Sequence, residues 1–384
     1  MQSNDKIYLD NAATTPVDPR VFEAMQPYLT EIFGNPSSIH QYGKIAKVML
    51  EDTRDLIAEF IRCKPKEIFF TSGGTESINT FLKGISLPPG EKNCIITSSI
   101  EHMAVLETMN YLNKNFNVIP RYVKPERNGS IDPGEVLDLL DEATIAVSIM
   151  HVNNETGVKN DIKKIAEHCK SKNIPFHSDT VQSFGKMDIN VKELGVDSIS
   201  ASAHKIYGPK GIGFIYVNEN IRYENLLHGG SQERNKRGGT ENIPAIAGFQ
   251  KAVEILKSEM ENDIKHYKTL HAQLMTGLND FSQLFILNSS EYLSVPNIVS
   301  ISFYKSKINF DSETLFMKLD IDGVAVSGGS ACTSGSLKPS HVMQELGHDN
   351  ETAMATIRIS LGRFNTPDDI VRFVKLLKKA SGLL

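Results

Sequence analysis

The chain lacks several features that would place it in other classes of protein. No apolar run in its 384 residues approaches the roughly 20 that a membrane-spanning helix needs, so we expect no membrane association. The formal net charge is −5 without a block of basic residues, which argues against direct nucleic-acid binding. The first residues, MQSNDKIYLDNAATT, do not place an apolar stretch after a basic one, and we expect no secretory signal.

Cysteine is also scarce. The four cysteines, Cys63, Cys94, Cys169 and Cys332, form no C-x-x-C pair and show no spacing with histidine that is typical of a zinc site. We therefore expect no metal centre and a reducing, cytoplasmic setting. With 40% hydrophobic residues and no internal repeat, the chain should fold from end to end around one large core and a smaller one.

Strands and helices alternate through the first part of the chain. Apolar strands are predicted at residues 68–71, 94–97, 118–123, 145–150, 175–177, 198–201 and 212–217. Helices are predicted between most of them, at residues 76–83, 103–112, 133–141 and 161–172. This alternation predicts an α/β fold whose mainly parallel sheet is covered by helices on both faces.

The pattern changes after residue 217. A glycine-rich polar loop at 229–241 leads into a long helix predicted for residues 243–279. The remainder mixes helices with strands predicted at 298–303, 325–327 and 356–360. We predict a large domain of residues 16–255 and a smaller α+β domain formed by residues 1–15 and 256–384.

A lysine directly follows one of the buried strands. The stretch SISASAHKIYGPKGIG, residues 198–213, places Ser202, His204 and Lys205 between a strand and a turn rich in glycine and proline. A lysine held among apolar and cationic neighbours has a lowered pKa and can form an imine with a carbonyl cofactor. The alternative is a lysine whose stem covers apolar surface while its ammonium reaches water.

Polar groups follow the other strands as well. They lie in the segments SGGTE (72–76), SSIEH (98–102), HVNNETG (151–157) and SDTVQ (178–182). Ligands of open parallel sheets bind at the carboxyl ends of the strands, so several such groups at one edge favour a site. The small residues that open the helix after residue 71 suit a phosphate, the alternative being an ordinary turn capped by Thr75.

Together these residue types have the chemistry that pyridoxal phosphate requires. An aspartate can keep a pyridine nitrogen protonated, and a histidine can stack on a flat ring. Asparagine and glutamine can bond a phenolic oxygen, and a hydroxyl, an imidazole and a helix end can bind phosphate. With a lysine for the imine, the set predicts a pyridoxal-phosphate enzyme whose side chains tune a cofactor that acts as an electron sink.

Two residues of the C-terminal part are candidates for a substrate site. Cys332 lies in the small-residue loop SGGSACTSGS, residues 327–336, where accessibility favours thiol chemistry over an incidental thiol. The other three cysteines fit structural positions, for which the role of a buried hydrophobe is favoured. Arg358 lies in the apolar strand IRIS, and either a substrate carboxylate or a structural ion pair would provide the partner that it needs.

Ten motifs in order along the chain resemble those of the cysteine desulfurases of the NifS/IscS type, within the class-V aminotransferase-fold group of pyridoxal-phosphate enzymes. They are YLDNAATT, GNPSS, FTSGGTES, EHMAVLE, HVNNETG, HSDTVQSFGK, SAHKIYGPKGIG, HGGSQERNKRGGTEN, SGGSACTSGS and IRISLGRFNT. The resemblance spans nearly the whole chain and implies the aspartate aminotransferase-like fold of pyridoxal-phosphate-dependent transferases. One minor departure is Gly328-Gly329, where a serine often stands.

The resemblance also implies a role for individual residues. Lys205 would be the Schiff-base lysine, and His102 would stack on the cofactor ring and move protons. The remaining cofactor contacts would be Asp179 at the pyridine nitrogen, Asn154 and Gln182 at the ring oxygen, Gly74, Thr75, Ser202 and His204 at the phosphate, and Thr240 from the other subunit of a homodimer.

For the substrate, the resemblance implies L-cysteine, with Arg358 and Asn11 as binding residues. Cys332 would attack the substrate sulfur, take it up as a persulfide with release of L-alanine, and hand it to an acceptor protein such as an iron–sulfur scaffold. A related aminotransferase or selenocysteine lyase is the alternative within enzymes, and an aminotransferase has no use for Cys332. A sulfur carrier without catalysis is the alternative outside enzymes, and it predicts a colourless protein.

Overall fold

The structure is a computed structural model, and it describes residues 6–86, 93–290, 292–307, 312–328 and 338–383. The strands up to residue 217 are β1 (Ile7–Tyr8), β2 (Ile68–Thr71), β3 (Cys94–Ser98), β4 (Ile119–Val123), β5 (Thr144–Ser148), β6 (Phe176–Asp179), β7 (Ser198–Ser202) and β8 (Gly213–Val217). The helices of this part are α1 (Pro19–Thr30), α2 (Gln41–Ile61), α3 (Gly74–Ile85), α4 (Met103–Phe116), α5 (Pro133–Leu139), α6 (Ile162–Ser171) and α7 (Val191–Leu194).

The second part begins with the short turn α8 (Gln232–Asn235) and the long helix α9 (Ile243–Asn279). Its strands are β9 (Phe285–Leu287), β10 (Ile298–Phe303), β11 (Val324–Ala325), β12 (Ser327–Gly328) and β13 (Thr356–Ser360). Its other helices are α10 (Ser312–Ile321), α11 (His341–Glu345), α12 (Asn350–Met354) and α13 (Pro367–Ala380).

Seven strands form a large sheet in the order β2-β8-β7-β6-β5-β3-β4. The pairings from β7 through β6, β5 and β3 to β4 are all parallel, whereas β8 runs antiparallel to both of its neighbours. Parallel strands need both faces covered, and the strand β3 shows how: Cys94 and Ile96 join one hydrophobic core, while Ile95 between them joins another. The predicted α/β class with a mainly parallel sheet is confirmed.

A smaller antiparallel sheet has the order β12-β13-β10-β9, and β1 pairs with β11 beside it. The predicted strand at 325–327 is wrong as a single element. Its residues change partner at Val326, since Val324 and Ala325 pair with β1 whereas Ser327 and Gly328 pair with β13.

The helix α9 continues across the predicted domain boundary at residue 255, and the division into two domains stays a prediction. In the described ranges, no helix is both long and apolar enough to cross a bilayer.

A buried ion pair fixes the loop that follows β8. Both terminal nitrogens of Arg54 on α2 bond the carboxylate of Glu233 at 2.9 Å, and the residues are 1% and 4% exposed. Glu233 also accepts a hydrogen bond from the Phe70 backbone N–H at 2.8 Å. These contacts hold a loop in which residues 233–235 all have positive φ angles of 45° to 64°.

Replacement of Arg54 by methionine should lower the free energy of unfolding by about 3–5 kcal/mol, because the Glu233 carboxylate would stay buried without its partner. Urea denaturation at neutral pH measures the change. The matched control is Arg62→Met at the C-terminal end of the same helix, where the partner Asp188 is exposed and no measurable change is expected. Equal effects of the two substitutions would show that the buried pair does not stabilise the fold.

Candidate active site

A cavity of about 270 Å³ opens at the carboxyl ends of the parallel strands. A larger cleft of about 580 Å³ beside Arg54 exists, but it lies away from the edge where this kind of sheet binds ligands. Ten of the residues predicted for the site line the smaller cavity, namely Gly74, Thr75, His102, Asn154, Asp179, Gln182, Ser202, His204, Lys205 and Arg358. The fold therefore brings together side chains that lie up to 284 positions apart in the sequence, from 74 to 358.

Lys205 reaches the cavity from a short turn after the fully buried strand β7. Its Nζ donates hydrogen bonds to the backbone oxygens of Ala12 and Ala13, at 2.6 and 2.7 Å. The N-terminal segment is held there in turn, because the Thr15 side chain and backbone N–H both bond the carbonyl oxygen of His204. The amine is thus fixed at the cavity wall by carbonyl groups of a segment nearly 200 residues away.

Asp179 and His102 face the same space from the ends of β6 and the loop before α4. Asp179 is buried, and its Oδ1 accepts a hydrogen bond from the backbone N–H of Val181 at 2.9 Å. Burial raises the pKa of Asp179, while the nearby His102 and Lys205 act in the opposite direction. His102 caps α4: its Nδ1 accepts from the Ala104 N–H at 3.0 Å, and desolvation lowers its pKa. A neutral His102 presents a flat ring, and Asp179 offers a buried acceptor.

The start of α3 forms an anion-binding wall. The helix begins at Gly74, and its N-cap is Gly73, not Thr75 as the alternative interpretation required. The φ angle of Gly73 is 149°, a conformation that suits only glycine. A glycine cap leaves the first N–H groups without an N-cap side chain, and this positive helix end borders the buried hydroxyl of Ser202. A methyl group on Gly74 would lie 2.6 Å from Val181, so the wall has no room for a side chain there.

His204 lies on the same side of the cavity. Its Nδ1 is 3.1 Å from the Thr14 hydroxyl oxygen. Burial lowers the pKa of His204 to about 4, and the charges of Lys205 and Lys210 contribute to this shift. An anion next to the imidazole would favour its protonated form, as expected for a phosphate ligand.

The two amide side chains predicted for the site line the cavity as well. Gln182 donates through Nε2 to the Ala12 oxygen at 2.9 Å, the same carbonyl that Lys205 bonds. The backbone oxygen of Asn154 accepts a hydrogen bond from Arg358 at 3.0 Å, so the loop after β5 is tied to the smaller sheet.

Arg358 has a structural ion pair and spare bonding capacity. Its Nη2 contacts Asp10 at 2.8 Å. Its Nε is buried and has no hydrogen-bond partner within the described part of the chain. Since Arg358 lines the cavity, its guanidinium group is a cation that a ligand carboxylate could bond.

Two predicted residues of the described ranges are not among those that line the cavity, and a third lies outside these ranges. Asn11 is buried and donates to the backbone oxygen of Ser360 at 2.9 Å, which fastens the N-terminal segment to β13. Thr240 is exposed on the loop before α9. Cys332 lies outside the described residues. Their roles stay predictions.

Two buried glutamates belong to the surroundings of the site but received no role from the sequence. Burial raises the pKa of Glu101 to about 8; its Oε1 accepts from the Met150 N–H and the Ser98 hydroxyl, at 2.9 and 2.7 Å. Glu155 is 4% exposed and accepts a 2.6 Å hydrogen bond from Ser340. Both follow apolar strands in the segments that carry His102 and Asn154, and this position was the signal available in the sequence.

Comparisons with known proteins identify the family of this chain. The family model described as aminotransferase class-V matches residues 7–373. The chain is 46% identical to a cysteine desulfurase IscS of Pectobacterium carotovorum subsp. carotovorum (strain PC1), an alignment that covers 98% of this chain and 93% of that protein. It is 42% identical to a cysteine desulfurase IscS of Dictyoglomus turgidum, with 97% and 94% of the two chains covered.

Solved structures show the same architecture. A NifS-like protein superposes with a TM-score of 0.91 at 37% identity, over 99% of this chain and 100% of that one. The structure described as SspA in complex with cysteine has a TM-score of 0.83 at 34% identity, over 94% and 99% of the two chains.

Proposed function

The chain belongs to the class-V aminotransferase family, and from this premise we propose that it is a pyridoxal-phosphate-dependent cysteine desulfurase that converts L-cysteine to L-alanine. The relatives named cysteine desulfurase support this activity. The single observation that carries the proposal is the cavity itself, in which Lys205, Asp179 and His102 meet a helix N-terminus and Arg358.

The donor set fits pyridoxal 5'-phosphate. The helix start at Gly74 and Thr75, with Ser202 and His204 beside it, would bind the phosphate, and Thr240 of the partner subunit would complete that contact. Asp179 would bond the ring nitrogen, His102 would stack on the ring, and Asn154 and Gln182 would bond its oxygen. Lys205 would hold the cofactor covalently. When bound, the cofactor supplies an electron sink for the electron pair released at the substrate Cα.

Substrate binding and proton transfer are the roles of residues of this chain. Arg358 binds the carboxylate of L-cysteine, and Asn11 fixes the adjoining N-terminal segment. The Lys205 Nζ would take the proton from the substrate Cα, and His102, whose pKa burial lowers, would exchange protons in the same cavity. The two backbone oxygens of Ala12 and Ala13 aim the Lys205 amine.

Sulfur transfer requires a thiol within reach of the cavity. Cys332 is four residues from Gly328, which pairs with β13 next to Arg358, and four residues span at most about 14 Å. In the transfer, the Cys332 thiolate attacks the substrate sulfur. An S–S bond forms, the Cβ–S bond breaks, and the β-carbon gains a proton, so that L-cysteine and one thiol yield L-alanine and one persulfide without an external oxidant.

We further propose a cytoplasmic homodimer that passes this sulfur to an acceptor protein such as an iron–sulfur scaffold. Thr240 is exposed on the loop before α9, which leaves it accessible to a second subunit whose phosphate site it would complete. Direct contact with nucleic acid is not part of the proposal, since the chain carries a net charge of −5.

The test is incubation of the purified, cofactor-loaded protein with L-cysteine and a reductant. Alanine and sulfide should appear in equal amounts, and without reductant one persulfide should form per subunit. Transfer of the amino group to a keto acid without sulfide release would instead identify an aminotransferase. A protein that stays colourless with added cofactor and forms no alanine would be a carrier, and the proposal would be wrong.

A further inference from the structure

The side chain of Thr15 joins the two peptide groups on either side of Lys205 and Ile206. Its hydroxyl donates to the carbonyl oxygen of His204 at 3.0 Å and accepts from the backbone N–H of Tyr207 at 2.7 Å. The His204 carbonyl lies in the peptide bond directly before Lys205, and the Tyr207 N–H lies in the peptide bond directly after Ile206. Thr15 is 2% exposed, so water has little access to its hydroxyl group.

The turn that carries Lys205 has a strained backbone. Tyr207 has a φ angle of 65°, which is unusual for a bulky side chain and persists only where surrounding contacts hold it. Thr15 provides one such contact at the Tyr207 N–H, and the Asp18 N–H provides another by donating to the Tyr207 oxygen at 3.0 Å. The Tyr207 hydroxyl is held as well, since it accepts from the backbone N–H of Arg363 at 2.5 Å. The shape of the Lys205 turn therefore depends on the N-terminal segment.

The same segment also bonds the side chain of Lys205. The carbonyl groups of Ala12 and Ala13, which accept from Nζ, lie three and two residues before Thr15. Thr15 thus fixes the backbone of Lys205 and belongs to the segment whose carbonyl groups aim its amine. Because Ala12, Ala13 and Lys205 all line the cavity, loss of the Thr15 hydroxyl should displace the amine while every described lining residue is kept.

We propose that Thr15 is a positioning residue whose hydroxyl group holds the Lys205 amine where it can exchange a proton with the substrate Cα. The inference rests on the proposed function and deepens it. The neighbouring Thr14 offers a different route to the cavity, because its hydroxyl oxygen is 3.1 Å from Nδ1 of His204, the imidazole on the proposed phosphate side. The experiment has to separate the position of the amine from the binding of the phosphate.

Three substitutions of Thr15 test its hydroxyl group. Thr15→Val keeps the branched shape but removes the hydroxyl, so both of its bonds to the Lys205 turn are lost. Thr15→Ala removes the same bonds without placing a methyl group against the His204 carbonyl, and it keeps the test valid where valine does not fit. Thr15→Ser retains the hydroxyl and should restore the function.

Two further substitutions serve as controls. Thr14→Val removes the hydroxyl beside the His204 imidazole. Thr97→Val is matched for stability, because Thr97 is 0% exposed and its hydroxyl donates to the Ser148 oxygen at 2.7 Å, between the strands β3 and β5. Its loss should lower the thermal unfolding midpoint about as much as Thr15→Val does, and it shows the effect of destabilisation alone.

Exchange of the Cα proton of L-alanine with deuterated solvent measures proton transfer without sulfur chemistry. The Lys205 amine takes the proton while the bound cofactor holds the electron pair, and it returns a deuteron from the solvent. At saturating pyridoxal 5'-phosphate, Thr15→Val and Thr15→Ala should slow this exchange about 10-fold or more, since small misplacements of reacting groups are costly, with KM for L-alanine within about twofold. Thr15→Ser, Thr14→Val and Thr97→Val should stay within about threefold of the wild type.

A second readout uses the cofactor-free protein. The Lys205 amine condenses with the aldehyde of pyridoxal 5'-phosphate with loss of water, borohydride reduces the product, and mass spectrometry identifies the modified lysine. Capture at Lys205 relative to the exposed Lys210 should be about 10-fold slower in Thr15→Val, and Thr15→Ser should restore it.

Unchanged exchange in both Thr15→Val and Thr15→Ala would show that the hydroxyl is not needed, and equal slowing in Thr14→Val would assign the effect to the His204 side of the cavity. Failure of Thr15→Ser to restore the exchange would also overturn the positioning role, and in each case the desulfurase function stands. If the wild type exchanges the proton of L-alanine but releases no sulfide from L-cysteine, the proposed function fails while the variants still decide the role of Thr15. If the wild type exchanges no proton, both fail.

Discussion

Replacement of Lys205 by alanine should reduce the turnover of L-cysteine at least about 1000-fold, because in the proposed mechanism one side chain both holds the cofactor and moves the substrate proton. The protein should also lose the absorption band near the visible edge that the bound cofactor gives. Alanine formation and an absorption spectrum of the cofactor-saturated variant measure the two effects separately.

The matched control for this prediction is Lys210→Ala. Lys210 lies in the turn that follows Lys205 but is exposed to solvent and does not line the cavity. We expect its turnover and spectrum to equal those of the wild type. A Lys205→Ala protein that keeps more than a tenth of the wild-type turnover would assign the proton transfer to another base, and His102 would then be the first residue to examine.

The loss in Lys205→Ala has a structural component that must be measured. Nζ bonds the carbonyls of Ala12 and Ala13, so its removal releases part of the N-terminal segment that Thr15 and Asn11 also hold. Because these other anchors remain, thermal unfolding should shift by only a few degrees. Addition of a small primary amine should then restore part of the proton transfer if the missing group is the amine itself.

Burial acts on both carboxyl groups that lie near His102. It raises the pKa of Glu101 to about 8, and the negative charge of Asp179 adds to that shift. Burial also raises the pKa of Asp179, and the nearby His102 and Lys205 oppose that shift only in part. A cation next to Asp179, such as a protonated ring nitrogen, would favour its ionised form.

The parts of the site that follow buried strands could be predicted from the sequence. Lys205 lies three residues after β7 and Asp179 is the last residue of β6, and parallel strands bring such positions to one edge whatever their order in the sheet. The same reasoning gave the strands of the large sheet to within about two residues at most ends, since continuous apolar runs are typical of strands covered on both faces.

The contacts that aim these side chains could not be predicted in the same way. The bond from Lys205 to Ala12 joins residues 193 positions apart, and the bond from Ser340 to Glu155 joins residues 185 positions apart. A sequence does not show which backbone carbonyl a side chain will bond, and the presence of a serine or a glutamate does not identify its hydrogen-bond partner. The split of the predicted strand 325–327 has the same origin, because its two halves depend on the separate partners β1 and β13.

Replacement of Cys332 by serine should abolish sulfide release from L-cysteine, again by at least about 1000-fold, because a hydroxyl oxygen cannot form the S–S bond that removes sulfur from Cβ. The cofactor absorbance and the spectral response to L-cysteine should be retained, since the described residues that line the cavity are all kept. Sulfide, alanine and the spectrum of the same sample provide the measurement.

The control for Cys332→Ser is Cys63→Ser. Among the described cysteines, Cys63 is the half-buried one, whereas Cys94 and Cys169 are buried, and desolvation raises the pKa of Cys63 to about 12. Such a thiol is protonated at neutral pH and is a poor nucleophile, so its loss should leave sulfide release unchanged. Sulfide release that survives in Cys332→Ser would contradict the desulfurase mechanism. A loss of sulfide release with an intact cofactor spectrum, set against the loss of both in Lys205→Ala, would place the two residues at successive steps of one reaction.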